Sequence, residues 1–274
     1  MIFCSTDLAA RIEQAERDLV ASACAHMRAR CADPFLIEFG GGFIAFTEPG
    51  SPMNKVVGLG FAPFDQAAWP AVEEEHARRA AAVQVELSTL ADPAIGKFLT
   101  GRGYELVAVE NVSGRALSRD VVASPTSVTI EVCPAVQLER WIDVLVTGFA
   151  APDAAGVGVH EAFDRAVIER IIHDFAKARG VQLFLAHRDG QLAGGASMRL
   201  DGSIAQLCGA ATLPGHRRRG VQSALLAHRL AIAAQSGCEL AIVTTQPGSK
   251  SQQNMHRQGF ELLYSRNVLV KAPS

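Results

Sequence analysis

The chain has 274 residues, 49% of them apolar, which is enough to fill the cores of two α/β domains of ordinary size. Its 26 basic and 28 acidic residues leave a formal charge of −2, so no overall field draws it to nucleic acid or to an anionic membrane. The opening stretch MIFCSTDLAARIEQAERD carries acids early, and no apolar run is long enough to span a bilayer, so neither a signal peptide nor a membrane anchor is expected. The six cysteines, at 4, 24, 31, 133, 208 and 238, show no CxxC pair and no zinc spacing; they read as small buried hydrophobes in a protein of the cytoplasm.

In chain order, Leu8, Ile12, Ala15, Leu19 and Ala23 recur at helical spacing and predict a helix over 8–31. FLIEFGGGFIAF, PGSPMNK and VVGLGF follow as strands and turns, with PGSPMNK (49–55) a hairpin loop. A polar, Ala-rich stretch over 66–82 predicts a helix, VQVEL (83–87) a strand, ADPAIGKFLTGRG a short helix ending at Gly103, and YELVAVENV a strand. Residues 118–127, rich in Ser, Pro, Thr and charge, read as a linker. Beyond it come a strand at 128–134, helices at 136–149 and 161–178, and a hairpin turning at Asp189-Gly190, a pair suited to a tight turn. A strand at 204–213, a helix from Val221 to about Ser236, a strand at 240–245, a helix near 250–258 and a closing strand ELLYSRNVLV complete the chain.

The two halves repeat. Gly103-Tyr104-Glu105-Leu106 and Asn111-Val112 match Gly259-Phe260-Glu261-Leu262 and Asn267-Val268, both at an offset of 156 residues (259 − 103 and 267 − 111). At the same offset VQVELST overlies ELAIVTT. A repeat of whole-domain length argues for duplication, with two related domains in tandem.

The strongest chemical signal is Arg217-Arg218-Arg219-Gly220-Val221-Gln222. It leaves a strand and opens a helix, where free backbone N–H groups and the positive end of the helix dipole suit a pyrophosphate. Gly220 permits close backbone approach, and the arginines bring charge and bidentate reach to phosphate oxygens.

Residues 128–270 resemble the GNAT superfamily of N-acyltransferases. The family's phosphate loop runs Arg or Gln, two residues, Gly, one residue, then Gly or Ala. This sequence follows it through Val221 and departs at Gln222. Thr212-Leu213-Pro214 resembles the family's approach to the loop. Ser249 to Asn254, then Arg257-Gln258-Gly259-Phe260, resembles its late helix and Gly-Phe exit. The resemblance implies an α/β (α+β) fold of two tandem GNAT-like acyl-CoA N-acyltransferase domains, each a mixed, mostly antiparallel sheet flanked by helices. A degenerate copy would occupy 1–120 and the coenzyme-binding domain 126–274.

It further implies acetyl-CoA as co-substrate and no metal. Ala211, Thr212 and Leu213 would pair with the pantetheine arm, Arg217, Arg218, Arg219, Gly220, Val221, Gln222 and Ser223 would hold the pyrophosphate, and Asn254 would contact the pantetheine or the thiol end. The Gln222 side chain is expected to point outward. A primary amine of a small molecule would attack the thioester directly, polarised by backbone N–H groups. No nucleic acid or membrane partner is expected, and monomer and homodimer both stay open.

The acid and base are unassigned. Met255 stands where many relatives have a proton-donating Tyr, leaving Ser251, His256 and Tyr264 as substitutes. Glu161, Asp164 and His216 are the candidate bases. Cys208 reads as a core thiol without a partner His. The N-terminal half has no Arg-x-x-Gly-x-Gly, and Glu73-Glu74-Glu75 is acidic where a pyrophosphate needs donors. A non-catalytic acyl-CoA sensor is the alternative to an enzyme.

Overall fold

The computed structural model describes residues 2–118, 127–150 and 163–273. The first half runs α1 (Thr6–Met27), β1 (Phe35–Phe39), β2 (Gly42–Phe46), β3 (Lys55–Val57), α2 (Trp69–Arg78), β4 (Val83–Ser88), α3 (Pro93–Gly101) and β5 (Glu105–Ala116). The second runs β6 (Val128–Val132), a 3-10 turn, α4 (Leu138–Phe149), α5 (Arg165–Phe175), β7 (Val181–Arg188), β8 (Gln191–Asp201), β9 (Ile204–Gln206), β10 (Ala210–Thr212), a second 3-10 turn, α6 (Val221–Gln235), β11 (Leu240–Thr245), α7 (Lys250–Arg257) and β12 (Glu261–Lys271). Residues 119–126 of the linker expected at 118–127, and the first two residues of the helix expected at 161–178, lie outside the described residues.

Most expected elements form where the pattern places them. Ser5 caps α1 by accepting from Leu8 N at 3.2 Å, and Ile12, Ala15, Leu19 and Ala23 are buried along one face. PGSPMNK is a hairpin loop, held where the Thr47 N–H and the Asn54 amide lock across it. Asp189 and Gly190 both take positive φ, 52° and 75°, as the tight β7–β8 hairpin requires. The single strand expected at 204–213 is instead two, β9 and β10, broken at Leu207–Gly209.

The repeat has a structural cause. α3 and α7 end in the same motif: Gly103 (φ 89°) and Gly259 (φ 79°) turn left-handed. Tyr104 N then reaches back to Leu99 O at 3.2 Å, and Phe260 N to Met255 O at 3.1 Å. Tyr104 and Phe260 are both buried, each in the core of its own half. Met255 is therefore the counterpart of Leu99, an apolar anchor of its helix.

The halves share one sheet, in the order β1-β2-β3-β4-β12-β5-β11-β9-β8-β7-β6, with β10 paired to β8 alone. The last strands have changed places: β12 pairs with β4, and β5 with β11. β5 and β12 lie antiparallel, with Glu110 opposite Arg266. These two residues stand 156 apart (266 − 110), the period of the repeat, so a local dyad passes through their pair. Among the described residues only β3–β4 and β9–β11 are parallel. α1 also bridges the halves: Ala15 O accepts from Arg199 at 2.9 Å, Ser22 Oγ from Arg179 N at 2.8 Å, and beyond its end Arg30 meets Asp174 at 2.5 Å.

Candidate active site

The parallel pair β9–β11 begins in register at Ile204–Leu240, and Leu207 N still bonds Ile242 O at 2.8 Å. Beyond the break at Leu207–Gly209 the strands part. β10 stays on β8, with Ala210, Ala211 and Thr212 opposite Ala196, Gly195 and Gly194, and among the described residues its other edge pairs with no strand. A β edge of this kind offers N–H and C=O groups to an extended, amide-bearing ligand.

Small residues make the gap possible. A Cβ on Gly148 of α4 would lie 2.4 Å from Ala211 Cβ, and one on Gly194 would lie 2.7 Å from Ala211 O and 2.8 Å from Val221 Cγ1. These glycines let helices and strands close tightly around β10.

After Thr212 the chain makes a 3-10 turn (Pro214–His216), an extended residue at Arg217, and left-handed residues at Arg218 (φ 61°) and Gly220 (φ 80°). Arg218 is not a glycine, so this conformation is held at a cost of about 1–2 kcal/mol. Arg188 Nη1 donates to the Arg219 carbonyl and ties the turn to the β7–β8 hairpin. α6 starts at Gly220 with no side-chain cap, so its first N–H groups and dipole face the cleft.

The resulting cleft has a volume of about 960 Å³. The structure brings Ala211, Thr212, Arg217, Arg218, Gly220, Val221, Gln222, Ser223 and Asn254 together in its wall, while Leu213 and Arg219 stand just outside it. Lys250 and Arg257 join them. Sequence reading passed over these two, although positions 250, 254 and 257 share one face of α7 at helical spacing. Arg217, Arg218, Lys250 and Arg257 make four cations, and among the described residues no carboxylate lines the cleft. His216 also lines it, with a buried Nδ1 that has no hydrogen-bond partner. The Gln222 side chain does not point outward: it accepts from Asn254 Nδ2 at 2.7 Å, joining α6 to α7.

A second cavity, of about 430 Å³, adjoins the first. Gly148 and Ala210 line the cleft, and their chain neighbours Phe149 and Gly209 line the cavity. Its apolar walls come from α1 (Leu19, Val20), α4 (Trp141, Leu145, Phe149) and α5 (Ile168, Ile171, Ile172, Phe175). Its charged end comes from Glu16, Lys55, Glu86, Glu110 and Arg266. Both halves contribute, through α1, β3, β4 and β5 on one side and α4, α5, β8, β11 and β12 on the other.

The charged end is tightly coupled. Arg266 meets Glu13 at 2.8 Å, and Lys55 meets Glu86 at 3.1 Å. Burial opposes the Lys55 ammonium, but Glu86 and Glu16 beside it hold its pKa above the ordinary lysine value. Burial, reinforced by Glu86, lifts the Glu110 carboxyl to about 7, against the opposing pull of Lys55 and Arg266. The Cys208 thiol, also in the cavity wall, is pushed up to about 12 by burial and is no ready nucleophile.

The remaining candidates fall in varied places. Ser251 is exposed in the lining of the cationic cleft. His256 is exposed on α7 and lines neither space. Tyr264 is buried, donates to Glu13 Oε1 at 2.6 Å, and is held well above the ordinary phenol range chiefly by burial. Asp164 caps α5, accepting from Ala166 N at 2.8 Å and Val167 N at 3.4 Å. Glu161 lies outside the described residues. Glu16 and Glu110 were missed. Nothing in a sequence pattern marks two carboxylates as neighbours when one lies on a helix and the other on a strand 94 residues later (110 − 16).

A mixed sheet whose parallel strands part beside a cationic loop and a helix N-terminus defines the class of protein: a GNAT-type acyltransferase fold. The comparisons carry this to the family. The model of the acetyltransferase (GNAT) family matches residues 150–260, and that segment belongs to the family. Among curated proteins no relative matches. Among solved structures, a tandem GNAT protein from the clavulanic acid biosynthesis pathway shares 14% identity at a TM-score of 0.64, over 100% of this chain and 97% of its own. A GCN5-related N-acetyltransferase from Kribbella flavida shares 18% at 0.63, over 94% and 96%. One from Sphaerobacter thermophilus shares 13% at 0.57, over 95% and 93%. These similarities show the fold over both halves, and the tandem arrangement is one of them. Among the described residues no helix is long and apolar enough to cross a membrane.

Proposed function

We propose that the chain is an N-acetyltransferase that moves an acetyl group from acetyl-CoA to a primary amine of a small molecule by direct attack. The observation that carries this reading is the open notch: among the described residues the outer edge of β10 pairs with no strand, and it leads from a cleft with four cations and no lining carboxylate to the second cavity. The pyrophosphate would sit on the N–H groups of Val221, Gln222 and Ser223, with Arg217 and Arg218 as counter-charges. The pantetheine amides would pair with Ala210–Thr212. That path delivers the thioester to the break at Leu207–Gly209, where the amine waits on the far side. Holding both reactants end to end supplies the orientation that a bimolecular aminolysis lacks. Direct transfer, rather than an acyl-enzyme on Cys208, is favoured by the burial that pushes that thiol up to about 12.

One observation favours a coenzyme-binding sensor instead: Met255, where a proton donor is expected, is a core anchor 4% exposed. Calorimetric titration with acetyl-CoA, followed by thiol release with a panel of amines, separates the two. The enzyme reading expects binding and amine-dependent release; binding with no release for any amine would leave the sensor. Gly220→Val should abolish coenzyme binding, and if binding survives it unchanged the loop assignment is wrong.

A further inference from the structure

The cavity between the halves holds more carboxylates than cations. Glu13 takes Arg266, and Glu86 takes Lys55. Glu16 and Glu110 remain at 3.9–4.0 Å from those cations, beyond hydrogen-bond reach. Gln206 Nε2 reaches Glu16 at 3.3 Å, and nothing comparable reaches Glu110. Two further cations lie behind the strands. Arg199 is paired to Asp201 at 3.3 Å, and Arg229 donates to the carbonyls of Leu225, Ser197 and Cys208. Glu16 and Glu110, 18% and 30% exposed, thus share two cations that Glu13 and Glu86 hold more closely, and the site is electrostatically complementary to one more cation.

A second observation points the same way. Ser197, 1% exposed, lines the cavity with a hydroxyl that has no hydrogen-bond partner. The rest of the wall, from Leu19 and Val20 to Trp141, Leu145, Ile171 and Phe175, is hydrocarbon or aromatic.

We propose that this cavity binds a primary amine with an apolar body, its ammonium at Glu16 and Glu110, and that Glu110 is the catalytic base. This rests on the acetyltransferase reading above. The base would come from the half that lost the coenzyme loop, by way of the exchanged strand β5. Glu110 carboxylate takes one proton from R–NH3+. The neutral nitrogen then forms its bond to the thioester carbonyl carbon, and the C–S bond breaks with its electron pair leaving on sulfur. The second nitrogen proton passes to that thiolate, giving the amide and free thiol, while Glu110 returns its proton to solvent. Amino sugars and charged peptides are disfavoured, because their polar groups would meet apolar walls with no partners.

The test uses the full chain with acetyl-CoA, comparing 2-phenylethylamine and n-hexylamine with glucosamine and a lysyl peptide. The apolar amines should exceed the polar ones in kcat/KM by about a hundredfold or more. Their kcat/KM should rise with pH through about 7, the range in which Glu110 ionises. Glu110→Gln should lose about a hundredfold or more in kcat/KM together with that pH limb, and keep its affinity for acetyl-CoA. A structural role alone would lower Tm and leave the pH limb in place. Faster turnover of glucosamine or the peptide overturns the substrate class, and a pH limb intact in Glu110→Gln overturns the base. Octanoyl-CoA preferred over acetyl-CoA would give the cavity to an acyl chain instead. Acetyl-CoA bound with no amine acetylated defeats the acetyltransferase reading itself, which separates that failure from this one.

Discussion

The two halves carry the same strand, short helix, glycine turn and strand, yet only one of them is open. In the second half β10 leaves β11 after Leu207, and the gap becomes a cationic cleft. In the first half the equivalent parallel pair, β3 and β4, stays closed: Asp92 N donates to Gly60 O at 3.0 Å. There Gly60 packs so near the chain that a Cβ on it would lie 2.3 Å from Ala91 Cβ. Phe64, Trp69 and Phe98 fill the space behind, Trp69 and Phe64 with ring centres 5.3 Å apart. The difference teaches that duplication preserved the scaffold and divided the work. Among the described residues, one half has an unpaired strand edge and a helix N-terminus beside four cations. The other exchanges that opening for packed aromatic rings, and contributes carboxylates to the shared cavity.

The comparison breaks most severely at the dyad where the halves meet. Arg266 is 1% exposed and neutralises Glu13 at 2.8 Å, with Glu16 and Glu110 at 4.0 Å. Arg266→Met removes the cation and leaves buried carboxylates unpaired. We expect a loss of about 3–5 kcal/mol in urea unfolding. A loss under 1 kcal/mol would show that the exchanged strands do not depend on this pair.

A paired substitution sharpens the contrast between closed and open notch. Gly60→Ala meets both a left-handed φ of 101° and the Ala91 contact, so about 2–4 kcal/mol of stability should go. Acetyl-CoA affinity should be unaffected. Gly220→Ala, at φ 80° with nothing within 4 Å, should cost about 1 kcal/mol and yet weaken acetyl-CoA at least about tenfold. Both quantities can be read from chemical unfolding and titration calorimetry on the same two proteins. Equal effects on coenzyme binding would mean the first half is not closed to it.

Much of this division was legible in the sequence. The offset of 156 residues announced two copies, and the strand-loop-helix signature at Arg217–Gln222 marked the half with the cleft. Local patterns encode such features: helical period, a glycine at a left-handed turn, a loop before an amphipathic helix. The exchange of β5 and β12 was not legible, because VQVELST and ELAIVTT are equally good neighbours for either final strand. Glu16 and Glu110 were hidden too, lying 94 residues apart (110 − 16) on a helix and a strand whose patterns carry no sign that they face one cavity. The break at Leu207–Gly209 escaped because IAQLCGAATL is apolar throughout, and a parting of strands is decided by what the neighbouring strand does.

The shared cavity gives a pH test of the same division. With its native pKa raised to about 7, Glu110 binds its proton more tightly when folded than when unfolded. Its contribution to stability is therefore fully present below the ordinary carboxylate value and is lost as pH rises through about 7. Between pH 5.5 and 8.5 (conditions chosen to bracket about 7) the wild type should lose on the order of 1–2 kcal/mol from this group. The figure is below the full linkage, because the side chain is 30% exposed. Glu110→Gln should flatten that part of the profile and be the more stable protein at the alkaline end. A wild-type profile that matches the variant's would place Glu110 in water rather than in the cavity.

The smallest effect separates a structural carboxylate from a chemical one. Asp164 and Glu110 are both acids near the acceptor side, but Asp164 is exposed and its Oδ1 accepts from the first N–H groups of α5. A carboxylate in that position neutralises orphan donors and favours the helix dipole, and it has no path to the cavity except through the helix it caps. Asp164→Ala should cost about 1 kcal/mol of stability and leave the pH dependence of amine acetylation as it was. Asp164→Asn, which keeps a cap acceptor, should recover most of the loss. If Asp164→Asn instead removes the pH limb near 7, the base is Asp164 and not Glu110. The first half would then supply packing and charge to the cavity, and the second half all of the chemistry.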